Sequence, residues 1–448
     1  ENGDYFGGYH DPEVAYRELA RFSRRDADNY KTYRADTMRQ CRFIRDFLLS
    51  TAPDPASFRP RDLRELLHIG GKFAEMGEDR MYETIRFWTM SVAEYLDGYF
   101  ETDVIKAAKA GSGIIGTALG VYSPGTAYVL LHHYMGEVDG NIGSWGFARG
   151  GMGAVSKAIA GAFQAAGGEL RTDAGVDTII VKKGKVSGVA LENGEEIEGR
   201  LVVSAMDVKR TFLQCVERSE LPVGFVRRVE NFKIRGSSGK LNIALDGLPT
   251  FPALPEGSSL INSDMHFLDS LERMERAYDD WKAGTWSKDP YVDMLIPTLN
   301  DPTMAPPGKH FMSCFVQYCP YQLEGRAWTS EEKDAFGKTV IDQIANYSPD
   351  FKDLILHVEV RTPEDIENEI GITEGNIFHG ELTMDQLLFN RPIPGFARYR
   401  SPVDGLYMCG SSTHPGGGVM AAPGANAARE ILADLGRQNT VPETFGDD

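Results

Sequence analysis

The spacing of apolar positions changes character along the chain. In the first 110 residues it is helical. Leu19, Phe22 and their neighbours form a stripe, and Arg61–Phe73 and Met81–Phe100 continue the period of about 3.6. Asp11 followed by Pro12 marks a helix start, because Asp caps the free N–H groups and Pro suits the first turn. Loops are expected at Ala52–Pro55 and at Gly70-Gly71. Around Trp145 the pattern shifts. Gly150-Gly151-Met152-Gly153 opens an Ala-rich helix through Ala166, closed by Gly167-Gly168. Glu169–Thr172 and Val176–Lys182 then read as strands. Lys185–Glu192 and Glu195–Leu201 read as a hairpin about Asn193-Gly194, a two-residue turn signal. Val202–Ala205 reads as a buried strand. Further on, Lys240–Asp246, Tyr291–Pro297, Phe311–Tyr318 and Leu354–Val360 are strand-like. Phe267–Ala283 and Ser330–Tyr347 are helical, and Pro302–Pro307 is a loop.

This order predicts a mixed α/β fold with a mainly helical segment at 1–145, a β-rich segment at 146–210, a sheet-and-helix unit at 211–396 and a terminal segment at 397–448. The last dozen residues read as a polar tail.

Composition adds mainly exclusions. Hydrophobic residues make up 42% and charged residues 25% of 448, an ordinary globular balance. A net charge of −18 excludes a nucleic-acid partner, which needs a basic surface. No apolar run reaches the roughly 18 residues of a membrane span. The aromatic face of Met81–Tyr99 would suit peripheral membrane contact, although internal packing is the preferred reading. The five cysteines, Cys41, Cys215, Cys314, Cys319 and Cys409, are scattered and odd in number, which suits a reducing, cytoplasmic setting. Alternation would point Cys314 and Cys319 to opposite faces of a strand. The adjacent His132-His133 suits metal ligation poorly, and no metal is expected.

The densest chemistry lies near the C-terminus. Gly405-Leu-Tyr-Met-Cys-Gly410 reads as a short strand, Ser411-Ser-Thr-His-Pro-Gly-Gly-Gly418-Val-Met as a turn, and Ala421 through Ala428 as a small-residue helix. Glycines at such a turn admit close backbone approach, and an open helix N-terminus favours an electron-rich ligand. A literal GxGxxG also occurs at Gly111–Gly116. It follows a helical stretch instead of a strand, so tight packing explains it better than dinucleotide binding. No hydrolase signature competes: Gly236-Ser-Ser-Gly239 is not GxSxG.

The terminal string resembles the flavin-contacting segment of phytoene-desaturase-like and amine-oxidase-like flavoproteins. The resemblance extends over Tyr128–His133, Gly150–Gly153, Ala305–Gly308, Gln317-Tyr318, Pro320-Tyr321, Gly375–Gly380, Asp385-Gln386, Phe389 and Arg391-Pro392. Within that group the chain looks most like the pyridine nucleotide-disulphide oxidoreductase-domain subgroup. The likeness implies an FAD-binding domain of Rossmann type, split in sequence, and a substrate domain. It implies cofactor contacts from Val176, Ala205, Gly410, Gly418, Val419 and Met420. The implied chemistry is FAD-dependent oxidation of a C–C or C–N bond in an apolar small molecule. His379 and His414 are the candidates for acid–base work, since imidazole titrates near neutrality.

Family members open with a βαβ unit whose glycines and helix N-terminus hold the FAD pyrophosphate. This sequence starts where that unit would already have ended. The Rossmann-like domain is therefore expected to be incomplete, the chain truncated, FAD binding weak, and the fold supported by homo-oligomerisation. The competing expectation is a non-catalytic binding or self-assembling protein derived from a flavoprotein.

Overall fold

The computed structural model describes residues 3–138 and 140–441. Helices α1 (Pro12–Ala20), α2 (Arg24–Leu48), α3 (Pro60–Met76), α4 (Glu78–Thr89), α5 (Val92–Asp97), α6 (Asp103–Ala110) and α7 (Thr126–Tyr134) build the first third. Asp11 caps α1 through Oδ1, which accepts from the N–H groups of Glu13 at 2.8 Å and Val14 at 3.0 Å. Gly70-Gly71 is not a loop: α3 runs through it. Two helical glycines cost about 1 kcal/mol each against Ala, and the amphipathic face outweighs that. The expected helix over Met81–Phe100 is interrupted instead. Ser91 and Glu94 form a reciprocal capping box that ends α4 and starts α5. Phe87, Trp88, Val92, Tyr95 and Leu96 are buried in the first hydrophobic core, so most of this aromatic face packs internally.

Gly111–Gly113 forms a single 3₁₀ turn after α6. A Cβ on Gly113 would lie 2.8 Å from Val92 Cβ, and one on Gly111 would lie 2.1 Å from the Tyr291 hydroxyl. The GxGxxG glycines there serve close packing.

A short ribbon follows, β1 (Glu137–Val138) with β2 (Asn141–Ile142), and then α8 (Gly153–Ala165). This helix buries no residue: Ile159 is 57% and Phe163 50% exposed. Glu169–Thr172 is not a strand. All four residues are exposed, and no neighbouring strand offers them a ladder. The hairpin forms where Asn193-Gly194 places it. β3 (Val176–Lys182), β4 (Lys185–Leu191) and β5 (Glu196–Glu198) make an antiparallel sheet. β6 (Val202–Ser204) is buried on one side only, since Val203 is exposed.

After α9 (Val223–Glu230) comes the main sheet. Its strands are β7 (Ser238–Leu245), β8 (Met265–His266), β9 (Tyr291–Leu295), β10 (His310–Gln317) and β11 (Ile355–Arg361), with α10 (Leu271–Lys282) and α11 (Ser330–Ala345) between them. The strand order is β11-β7-β10-β9-β8, antiparallel throughout. One face, with Leu241, Ile243, Met294, Met312 and Val316, packs with Phe336, Val340 and Ile344 of α11 into a second core. Cys314 and Cys319 do not diverge to opposite faces: Cys319 lies beyond the end of β10, and both join this core. All five cysteines are free thiols. α12 (Pro363–Ile370) precedes a run of tight turns, and the chain closes with β12 (Leu406–Met408) and α13 (Ala422–Asp434). Of the expected polar tail, residues 442–448 lie outside the described part. No described helix is long and apolar enough to cross a membrane.

Candidate functional site

β12 and β6 pair in parallel, Leu406 with Val202 through Met408 with Ser204. The pairing continues one step further, with the Cys409 N–H donating to Ser204 O at 2.8 Å. At Gly410 a Cβ would stand 2.2 Å from Ala205 O, so only glycine lets the two strand ends run this close. Ala205 itself is exposed. The carboxyl ends of adjacent parallel strands are where open α/β sheets bind ligands.

Beyond Gly410 the chain turns sharply. Gly416, Gly418, Val419 and Ala421 all have positive φ, at 109°, 127°, 56° and 53°. For Val419 this is a strained conformation, because a β-branched side chain crowds the backbone in the left-handed region. Val419 is nonetheless 73% exposed and packs against little of the protein. α13 begins three residues later, at Ala422, with no side-chain cap; Pro423 has no N–H to offer, so the N–H groups of Ala422 and Gly424 are the ones left without a side-chain partner. Strain, exposure and an uncapped helix start therefore coincide at Gly418–Ala421.

The turn is held from behind by buried polar groups. His132 on α7 donates from Nε2 to Gly417 O at 2.7 Å. Burial, reinforced by neighbouring His133, drives its pKa down to about 3, so the ring is neutral and its Nδ1 carries a lone pair with no partner. Arg391, fully buried, donates to the carbonyls of Ser411, Phe378, Gly380, Glu381 and Gln386. Its burial lowers its pKa to about 10. His414 donates from Nε2 to Phe47 O at 2.9 Å, and burial lowers its pKa to about 4. His414 thus spends its one N–H on anchoring the turn to the end of α2. Asn426 does the same from α13, donating to Leu48 O at 2.9 Å.

The sequence-derived residues fall into separate groups. Gly410 and Ala205 meet at the ends of β12 and β6, and Gly418, Val419 and Met420 form the turn. Val176 opens β3, in a different sheet. His379 is half-buried with φ of 53°, its carbonyl accepts from Ser412 Oγ at 2.7 Å, and its Nδ1 has no partner. Sequence reasoning assigned no role to His132 or Arg391, although both lay within quoted motifs. It also passed over Asp264, His266 and Asp293, whose side-chain ligand atoms lie within 4.8 Å of one another.

The profile of the flavin containing amine oxidoreductases matches residues 85–317, and the chain belongs to that family. It is 37% identical over 438 residues to the mouse pyridine nucleotide-disulfide oxidoreductase domain-containing protein 2, covering 94% of this chain and 74% of that one. It is 24% identical over 444 residues to a lycopene-forming phytoene desaturase of Pseudescherichia vulneris, covering 97% of this chain and 80% of that one. Carrot chloroplastic prolycopene isomerase is 27% identical over 397 residues, covering 86% of this chain and 59% of that one.

Proposed function

We propose that the chain carries the ring-binding half of an FAD site and serves an FAD-dependent oxidoreductase acting on a C–C or C–N bond. The observation that carries this reading is the strained, exposed Gly418–Ala421 turn abutting the uncapped start of α13. Bound FAD would supply the hydride acceptor, which the side chains themselves cannot provide. The protein's part is placement. Gly418, Val419 and Met420 would border the ring, and the free N–H groups of α13 would face its electron-rich edge. Neutral His132 fixes the turn without adding charge. Gly410 and Ala205 would face the middle of the cofactor, with Val176 on the adenine side. Apolar Val419 and Met420 favour an apolar reacting segment in the substrate.

Among the described residues no strand–glycine–helix unit offers a pyrophosphate cradle, and β6 and β12 form a sheet of only two strands. The exposed apolar side chains of α8 are a surface on which such a unit would dock. Taken alone, α8 equally favours self-assembly without catalysis, which is the second reading. A difference absorption spectrum separates the two. The oxidoreductase reading expects the visible bands of added FAD to shift and sharpen in the presence of the chain. An unperturbed FAD spectrum at millimolar cofactor would contradict it.

A further inference from the structure

The main sheet has a second face, and its register places an ordered row of side chains across all five strands. Arg361 on β11 lies opposite Lys240 on β7, and Lys240 lies opposite Phe315 on β10. Phe315 lies opposite Asp293 on β9, and Asp293 lies opposite His266 on β8. Directly opposed residues of antiparallel strands point to the same side. Leu241, Met294 and Cys314, one position along, point into the second core. The row residues therefore point away from α11. Every one of them is half-buried, and Phe315 belongs to no packed hydrophobic cluster.

The ends of the row are already paired. Arg361 bonds Glu359 and Glu369, each at 2.9 Å, and His266 Nε2 stands 3.2 Å from Asp264. The inner charges are not. Among the described residues Lys240 lies in no ion pair, and the one hydrogen bond of its side chain is donated to the Ser313 hydroxyl. Asp293 accepts no hydrogen bond and lies in no ion pair among the described residues; its neighbours in charge are His266, Asp264 and Lys240. Burial holds Lys240 below its ordinary pKa and Asp293 above its own, the strain of charges that lack partners. Half-buried charges without partners are costly, and a ligand that supplies the partners recovers that cost. Lys240 and Asp293 sit two strands apart, about 10 Å between backbones, with the Phe315 ring between them.

We propose that this row is a binding platform for a small dipolar molecule. Its carboxylate would bond Lys240 and Ser313, its ammonium would bond Asp293, and its apolar stretch would lie over Phe315. The inference rests on the oxidoreductase reading only in calling this ligand the substrate, with the oxidised bond in its apolar stretch.

Calorimetric titration of the full chain with 6-aminohexanoate, hexanoate, hexylamine and hexanol tests it. The amino acid should bind about tenfold more tightly than either singly charged probe, and hexanol should bind weakest. Lys240→Met should reduce its affinity to that of hexylamine, and Asp293→Asn to that of hexanoate. Lys240→Arg, which keeps the charge, should retain most of the affinity and guards against simple misfolding, which circular dichroism would reveal. Equal affinity for all four probes, or variants that bind as the parent does, would overturn the proposal. So would tight Mn²⁺ binding lost in Asp293→Asn with no response to 6-aminohexanoate, which would give the Asp264–His266–Asp293 cluster to a metal ion. FAD perturbation measured on the same samples keeps the two readings apart. A chain that binds the probe but leaves FAD unperturbed refutes the flavin assignment alone. A chain that perturbs FAD but ignores the probe refutes this inference alone.

Discussion

Glu381 shows how much the neighbourhood of the turn asks of single residues. Its carboxyl is buried, accepts from the Ala118 N–H at 3.3 Å through one oxygen, and leaves the other without a hydrogen bond, with Arg235 at 3.6 Å. Burial raises its pKa to about 7, against the opposing pull of Arg235. The fold therefore favours the protonated form. The stability this lends is complete below the unfolded carboxyl range, near 4.5, and is lost as pH rises through about 7. Such a shift corresponds to about 3 kcal/mol at most. Glu381→Gln should be close to neutral at pH 5 and should raise the melting temperature at pH 8. Parallel melting-temperature profiles for parent and variant between those pH values would show that Glu381 does not titrate there. His132 and Arg391 act at the same scale, and neither role could be read from the sequence. His132 and Gly417 are 285 residues apart, and nothing local announces their hydrogen bond.

At the scale of elements, the sequence was most readable where chemistry is local. Asp11-Pro12 caps α1, Asn193-Gly194 turns β4 into β5, and β7, β9, β10 and β11 fall within a residue or two of their alternating runs. It misled where context overrides propensity. Gly70-Gly71 is carried through α3 by its amphipathic face, Ser91 divides an otherwise continuous helical pattern, and Glu169–Thr172 finds no partner strand. The GxGxxG does follow a helix, α6, as its sequence context predicts, and close packing accounts for its glycines. Gly113→Ala should therefore lower stability by about 1–3 kcal/mol through overpacking against Val92, with no further effect on FAD binding once that loss is allowed for. A selective loss of FAD affinity with unchanged melting would contradict this. α13 offers a second test. Glu430, fully buried, bonds Arg61 and also Arg400 at 2.8 Å, and these arginines hold its pKa low despite burial. Glu430→Gln should cost about 3 kcal/mol, as when one member of a buried pair is removed. Urea denaturation measures it, and a loss below about 0.5 kcal/mol, the usual range for surface changes, would show the network to be dispensable.

Across the whole molecule, family and fold class were legible because the C-terminal string and its scattered companions survive as short motifs. The platform on the main sheet was not legible, because its row exists only once β11, β7, β10, β9 and β8 are in register. The molecule that results has a strained, exposed turn at Gly418–Ala421, a polar sheet face and an apolar helix, α8, none of whose residues is buried. FAD is therefore expected to bind through its ring end, with little contribution at the pyrophosphate. Among the described residues no helix start or glycine turn faces the pyrophosphate, and each such contact is worth about 0.5–2 kcal/mol, so several together correspond to powers of ten in affinity. The direct test is a paired titration of the chain and its Gly418→Val variant with FAD, followed by flavin fluorescence. A Cβ at position 418 would meet His132 Nε2 at 2.9 Å in a conformation of φ 127° that valine avoids. The expected result is saturable binding by the parent, weaker than about 1 μM, and none by the variant, with helical circular dichroism retained. Equal FAD binding by both chains, or submicromolar binding by the parent, would contradict the account.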